Sequence, residues 1–182
     1  MRRRESPFPP LTEKSMTLKK VYLPKQCYFI TTNVSDKEWI FGRMKNGIYA
    51  PDDKLCRIVI NDLNYYRNKF QFLLHGYVIM PDHFHGIITV SDKGNISEIM
   101  RDFKSHISFE INKVLRRKGE FWQEDFYEHG IRNDQDFEEK INYIHLNPIK
   151  ANLVQDPADL EYSSYRNYYL NDHPIIKINV IG

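Results

Sequence analysis

Two short stretches of this sequence carry residue types that do chemistry. The first is His83-Phe84-His85. On a β-strand, residues two apart point to the same face, so both imidazoles can converge on one point while Phe84 packs on the other side. Two imidazoles and a third donor make an ordinary divalent-metal site; in the purely structural reading the same pair only hydrogen-bonds within the fold. The second stretch holds Tyr143 and Asn147. Positions four apart stack on one face of a helix. Tyr143 offers a phenol that can act as a nucleophile, and Asn147 offers a carbonyl oxygen that can ligate a hard cation. In a chain with twelve tyrosines, packing is the competing role for any one of them.

Hydrophobic periodicity supplies the elements that must position these groups. Residues Cys27 to Asn33 are β-branched and aromatic, bounded by Pro24 and a polar turn, and predict a strand. Residues 34–51, with Gly42, Gly47 and Pro51, read as an irregular connection. From Asp52 the apolar positions Leu55, Ile58, Val59, Leu63, Tyr66 and Phe70 have helical spacing, with Asp62, Arg67 and Lys69 on a solvent face. Residues 72–79 and 84–90 predict two further strands around Met80-Pro81-Asp82. A second helix starts after Asn95, with Glu98 placed for a capping box, and its stripe runs from Ile96 through Ile107 to Leu115. The aromatic-rich residues 119–132 read as short strands or loop. A third helix is predicted from Asp134 to Asn147, with Phe137, Ile141 and Ile144 inward; Pro148 lacks the amide hydrogen that carbonyl 144 needs, and should end or kink it. The order implies an α+β fold: an antiparallel sheet with helices packed on one face. One domain at 21–170 is expected between a flexible basic arm at 1–20 and a tail at 171–182.

Composition narrows the class. With 182 residues, 41% of them hydrophobic and 27% charged, the chain can build one core of ordinary size. Cys27 and Cys56 form no CxxC pair, which excludes a disulfide scaffold and a four-cysteine zinc site. No apolar run approaches the roughly 18–20 residues that span a bilayer. The first twenty residues also lack the apolar segment of a secretion signal. A cytoplasmic protein with no membrane partner is the expectation. The net charge of +2 is unevenly spread: residues 1–20 hold six basic and two acidic side chains, a net of +4, leaving −2 for the rest.

The motifs together resemble a known family. MPDHFHGII (80–88) resembles the HUH signature of the single-tyrosine transposases, and YIHLNPIKANLV (143–154) resembles the tyrosine-helix motif of their REP-associated, IS200-like branch. LPKQCYFITT (23–32), FWQEDFYEHGIRN (121–133) and YSSYRNYY (162–169) agree in order and spacing. The resemblance covers most of residues 23–169. It implies the ferredoxin/RRM-like fold of HUH nucleases, with His83 and His85 holding a divalent cation (Mg2+ or Mn2+), Asn147 as third ligand, and no organic cofactor. Tyr143 would be the nucleophile. Its attack on a scissile phosphate would leave a 5′-phosphotyrosine and a free 3′-hydroxyl, which can reverse the step because one phosphoester replaces another. One residue departs from the pattern: the family commonly has asparagine where Asp82 stands, which changes the turn chemistry and adds a carboxylate beside the cation site. The related insertion-sequence enzymes act as dimers with the tyrosine helix swapped and the REP-associated branch can work as monomers, so monomer and homodimer both stay open.

Single-stranded DNA hairpins are the implied partner. Trp122 and Tyr127 are candidates to stack on bases, with Phe126 read as core and Arg132 as a phosphate contact or a member of an ion pair. Arg101 and Lys104 share a face of the second helix, as do Lys113 and Arg116 or Arg117; a DNA-facing stripe competes with a merely solvated one. Arg2, Arg3 and Arg4 add the basic arm. His129 can approach the site, His145 points about 200° away from Tyr143 around the helix, and the tyrosines at 162, 165, 168 and 169 read as packing for the C-terminal segment. Two other classes fit part of the pattern: a catalytically silent, domesticated hairpin-binding protein, and an RNA-binding α+β module with a structural HxH. A zinc hydrolase is disfavoured by the absence of HExxH-type spacing. Deleting residues 1–20 removes the net +4, and filter binding at graded salt is expected to show weaker hairpin affinity and a flatter salt slope; an unchanged slope would make the arm irrelevant to binding.

Overall fold

The computed structural model describes residues 25–170 and 174–180. The expected arm at 1–20, with Arg2, Arg3 and Arg4, lies outside the described residues. Strand β1 (Cys27–Asn33) falls where its β-branched and aromatic run predicts. It is followed by a hairpin of β2 (Gly42–Lys45) and β3 (Ile48–Pro51), then α1 (Asp53–Phe70), β4 (Leu73–Ile79), β5 (His83–Thr89), α2 (Ile96–Leu115), β6 (Tyr127–Gly130), α3 (Asp134–Lys150) and the short α4 (Tyr165–Tyr169). The main sheet has the order β4-β5-β1-β6 and every pairing in it is antiparallel.

The two faces of the sheet have different fates. Tyr28 and Ile30 of β1, Leu74 and Ile79 of β4, and Phe84 and Ile88 of β5 join one core with the apolar stripes of α1 and α2. Phe29, Val78 and Ile87, the alternate residues, join a second cluster with Ile141 and Ile144 of α3. The α+β class with an antiparallel sheet therefore stands, and its helices are divided: α1 and α2 share one face and α3 lies across part of the other. Buried Gly76 makes the crossing of α3 close, since a Cβ there would sit 2.8 Å from the Ile141 Cδ1.

The local sequence explains the element ends. Asp52 caps α1 by accepting the Leu55 N–H at 3.1 Å. Asn95 and Glu98 close the capping box of α2 reciprocally. Residues 34–51, expected to be irregular, contain the β2–β3 hairpin; its Asn46-Gly47 turn has both φ angles positive (51° and 78°), as a tight type I′ connection needs. Pro148 does not end α3. Only one backbone bond is forfeited, and the helix continues to Lys150 because the Ala151 N–H reaches the Asn147 carbonyl at 2.9 Å. Asp62, read as solvent-facing, is buried where α1 meets α2 and takes the His106 Nδ1 at 2.8 Å. The tyrosine-rich segment does pack: Tyr162 is fully buried and donates to the Asp53 carboxylate, and residues 162–164 bond along the outer edge of β4.

The last described segment is pinned by His75, at the irregularity between Leu74 and Gly76 in β4. Its Nδ1 meets the Asn179 carbonyl at 2.7 Å and its Nε2 the Thr89 hydroxyl at 2.8 Å. Burial, with Arg67 nearby, lowers the His75 pKa. A histidine titrating lower when folded than when unfolded stabilises fully above about pH 6.5 and loses that contribution as the pH falls. Urea unfolding is expected to show lower stability at about pH 5 than at about pH 7, with faster amide exchange in residues 174–180, and His75→Gln should shrink the difference.

Candidate nuclease site

The site grows from the register of β1 against β5. Asn33 lies opposite His83 and Thr31 opposite His85, so these four side chains share the face left open by α1 and α2. Phe84 between the histidines is buried in the opposite core. The two imidazole rings stand 4.6 Å apart between centroids. The HxH expectation thus holds as geometry: a two-residue period on a strand buried on one side delivers both rings to one place.

Each imidazole is oriented by a partner. His85 Nδ1 is 2.7 Å from Thr31 Oγ1, and its Nε2 is 3.0 Å from Asn147 Nδ2. In this arrangement Nδ1–H donates to the threonine hydroxyl and the lone pair of Nε2 faces Asn147. Burial, reinforced by the neighbouring His83, lowers the His85 pKa to about 3, so the ring stays neutral and keeps that lone pair at any physiological pH. His83 Nδ1 lies 2.5 Å from Asp82 Oδ1, which leaves Nε2 for another partner. Burial alone would raise the Asp82 pKa; the hydrogen bond and charge of His83 outweigh it and hold the carboxyl below its ordinary value.

Helix α3 brings the remaining groups. Tyr143 rests edge-on against Phe29 and His85, with ring centroids 5.7 Å and 5.3 Å away, and is 42% exposed. Asn147, one turn on, reaches His85 as described. Ile141 and Ile144 pack into the second cluster, which fixes the rotation of the helix and leaves Tyr143 at the edge of the buried stripe. The extra turn past Pro148 places Lys150 with its Nζ 5.6 Å over the Tyr143 ring. An open cavity of about 460 Å3 lies in front, lined by Thr31, Lys37, His83, His85, Lys140 and Tyr143 among others. Among the described residues no three His, Cys, Asp or Glu side chains form a metal cage. The donor set present is two imidazoles and a carboxamide, with Asp82 behind one ring; neutral nitrogen and amide oxygen donors of this kind fit a divalent cation once the Asn147 amide turns its oxygen inward.

The other candidates divide. Tyr127 is 56% exposed, lines the same cavity and touches Phe29, which places it beside Tyr143 and His85. Trp122 does not: it is 4% exposed and packed against Phe41 and Phe121, because the segment before β6 crosses the α1/α2 core rather than the open face. Phe126 packs against that core as expected. Lys104 is not a free cation; its Nζ binds the carbonyls of Gln123 and Glu124, both at 2.8 Å. Arg101 bonds Asp102, and both cations lie on α2, across the sheet from the cavity. Arg132 is exposed and does not line the cavity; the neighbouring Ile131 N–H bonds the Cys27 carbonyl, two residues along β1 from Phe29 of the cavity wall. His129 is occupied by Asp136 at 2.8 Å, and His145 is buried against Ser164. Thr31 and Lys140 were missed. Thr31 was readable as the same-face neighbour two before Asn33, and Lys140 as the residue one turn before Tyr143 on its own face.

Residues 52–147 match the family described as "Transposase IS200 like". A REP-associated tyrosine transposase of Escherichia coli (strain K12) is 30% identical over 95 residues, 52% of this chain and 54% of its own length. The chain thus spans about half the length of that relative. A putative REP-associated tyrosine transposase of Haemophilus influenzae is 25% identical over 142 residues, 66% of this chain and 81% of that one. A solved REP-associated tyrosine transposase bound to a REP hairpin shares the fold, with a TM-score of 0.69 at 20% identity over 90% of this chain and 92% of that one.

Thr31→Val keeps the shape and removes the hydroxyl, leaving a buried imidazole nitrogen unpaired. It is expected to lower stability in denaturant by about 1–3 kcal/mol, with Thr31→Ser close to wild type.

Proposed function

The chain belongs to the IS200-like transposase family, and from that premise we propose that it nicks and rejoins hairpin-bearing single-stranded DNA, of the REP type that a structural relative binds, through Tyr143. The observation that carries this reading is the convergence of a half-exposed tyrosine and two histidines on one open cavity, with His85 touching both Tyr143 and, behind it, Asn147.

The residues divide the work. Tyr143 Oη attacks the phosphorus of the scissile phosphodiester; the bond from phosphorus to the 3′ oxygen breaks; the phenol gives up its proton and the departing oxygen takes one up. The products are a 5′-phosphotyrosyl protein and a 3′-hydroxyl end. The edge contacts with Phe29 and His85 hold the phenol ring at the cavity mouth, so little orientational freedom is lost on reaching the attacking position. Lys140 and Lys37 line the cavity and offer positive charge to a phosphate backbone. His83, His85 and Asn147 would hold a divalent cation, Mg2+ or Mn2+, and such an ion would supply positive charge to a phosphoryl oxygen as the transition state develops. Thr31 and Asp82 keep the two imidazoles in the tautomers that ligation requires. Tyr127 extends the apolar wall beside Phe29, where an unpaired base can stack.

Incubation of a labelled single-stranded hairpin with Mn2+ is expected to give a denaturant-resistant protein–DNA adduct that is absent in Tyr143→Phe and lost on chelation. A chain that binds the hairpin tightly yet forms no adduct with any divalent ion is a binding protein, and the proposed chemistry fails.

A further inference from the structure

The chain has two tryptophans, and the one outside the core has no assigned role. Trp39 is 50% exposed. It lines a groove of about 240 Å3 with Arg43 and Lys45 of β2 and Ala50 and Pro51 of β3. Arg43 pairs with Ala50 and Lys45 with Ile48 across the hairpin, so these four side chains share one face. Ile48 is 72% exposed and both cations are exposed. Of the acids nearby, Asp52 lines the end of the groove and caps α1 through the Leu55 N–H, and Glu38 binds Arg117, so the two hairpin cations outnumber the one acid of the groove. The face is therefore apolar, aromatic and positive at once.

Its position ties it to the site. The Ile40 and Phe41 N–H groups both bond the Pro81 carbonyl at 2.9 Å, two residues before His83. Lys37 lines the Tyr143 cavity and Trp39, two residues on, lines the groove, a Cα separation of at most about 7 Å. The buried Tyr49, whose hydroxyl bonds the Phe41 carbonyl, fixes the hairpin to the domain. The groove and the cavity are adjacent parts of one surface.

We infer that the groove between Trp39 and the β2–β3 hairpin grips the single-stranded flank of the DNA next to the Tyr143 cavity, with a base stacked on Trp39 and phosphates on Arg43 and Lys45. This rests on the proposed DNA chemistry and adds the element that holds the strand beside the reacting phosphate. A flat aromatic with flanking cations is the arrangement that binds unpaired bases with little sequence preference. The phosphates of a strand running from the cavity supply a counter-charge to Arg43 and Lys45.

The test uses the full chain and a fluorescein-labelled DNA hairpin, with and without an oligothymidine extension on either side. In wild type the extension is expected to strengthen binding. Trp39→Ala should reduce that advantage about tenfold, Trp39→Phe should retain most of it, and Arg43→Gln with Lys45→Gln should flatten the salt slope of extension binding by about one unit. Trp39 is on the surface, so circular dichroism and melting should be unchanged. Wild type that forms the Tyr143 adduct while the variants keep the full advantage overturns the groove and leaves the chemistry standing. An advantage that depends on Trp39 with no adduct in wild type sustains the groove and removes the chemistry. No advantage in wild type, or variants that alter only self-association, overturns the groove.

Discussion

The antiparallel register between β1 and β5 is the constraint on which the rest of the site depends. It sets Thr31 against His85 and Asn33 against His83, while Phe84, Gly86 and Ile88 turn toward α1 and α2. Because side chains alternate strictly along a strand, a slip of one residue would bury both histidines under the helices and expose Phe84 and Ile88. The free energy that prevents the slip is hydrophobic: Phe84 and Ile88 are each 1% exposed, and burying such a side chain is worth about 1.5–3 kcal/mol. The chemical face is thus held in place by the packing of the face that does no chemistry.

Helix α3 solves the complementary problem of bringing a half-exposed tyrosine to a partly buried histidine pair. Ile141 and Ile144 lock its rotation, and the i, i+4 relation then sets Tyr143 and Asn147 on the flank that meets His85. Pro148 could have stopped the helix there. Its single lost hydrogen bond is offset by the N–H groups of Ala151 and Leu153, which bond the Asn147 and Pro148 carbonyls at 2.9 Å. The extra turn carries Lys150 back over the tyrosine ring. Burial of His85 adds an electronic consequence to this geometry: a ring kept neutral near neutrality has an unprotonated Nε2, which faces the Asn147 amide, with Thr31 on the far nitrogen fixing which one it is.

What the sequence disclosed and what it hid follow from the range of the forces involved. The β1 limits, the capped start of α2 and the paired HxH and Tyr/Asn geometry are local, set by period and capping within a few residues, and they were legible. The partners of long side chains were not. Trp122 and Lys104 have the types expected of DNA contacts, yet one is consumed by Phe41 and Phe121 and the other by three loop carbonyls, because the chain after α2 folds back over that helix. The division of helices between the two faces was hidden for the same reason: α3 shows the same apolar period whichever side it covers. The hairpin at Gly42–Pro51 was a different kind of miss. Its Asn46-Gly47 signal is local, and it was obscured by the polar residues before it, Arg43 and Lys45, that make β2 look like loop.

Those polar residues bear on how a chain with a net charge of only +2 would act on a polyanion in the proposed reaction. The side chains of Arg101 and Lys104 on α2 are tied down, Arg101 to Asp102 and Lys104 to carbonyls, on the side of the sheet away from the cavity. Lys37 and Lys140 line the cavity, Lys150 sits over Tyr143, and Arg43 and Lys45 stand along the adjacent hairpin. Within a Debye length of about 8–10 Å a phosphate responds to the charges near it rather than to the total. For the proposed hold on one scissile phosphate and a short flank, positive potential over that small area suffices, and near-neutrality elsewhere limits competition from bulk duplex, whose non-specific binding grows with every additional phosphate neutralised.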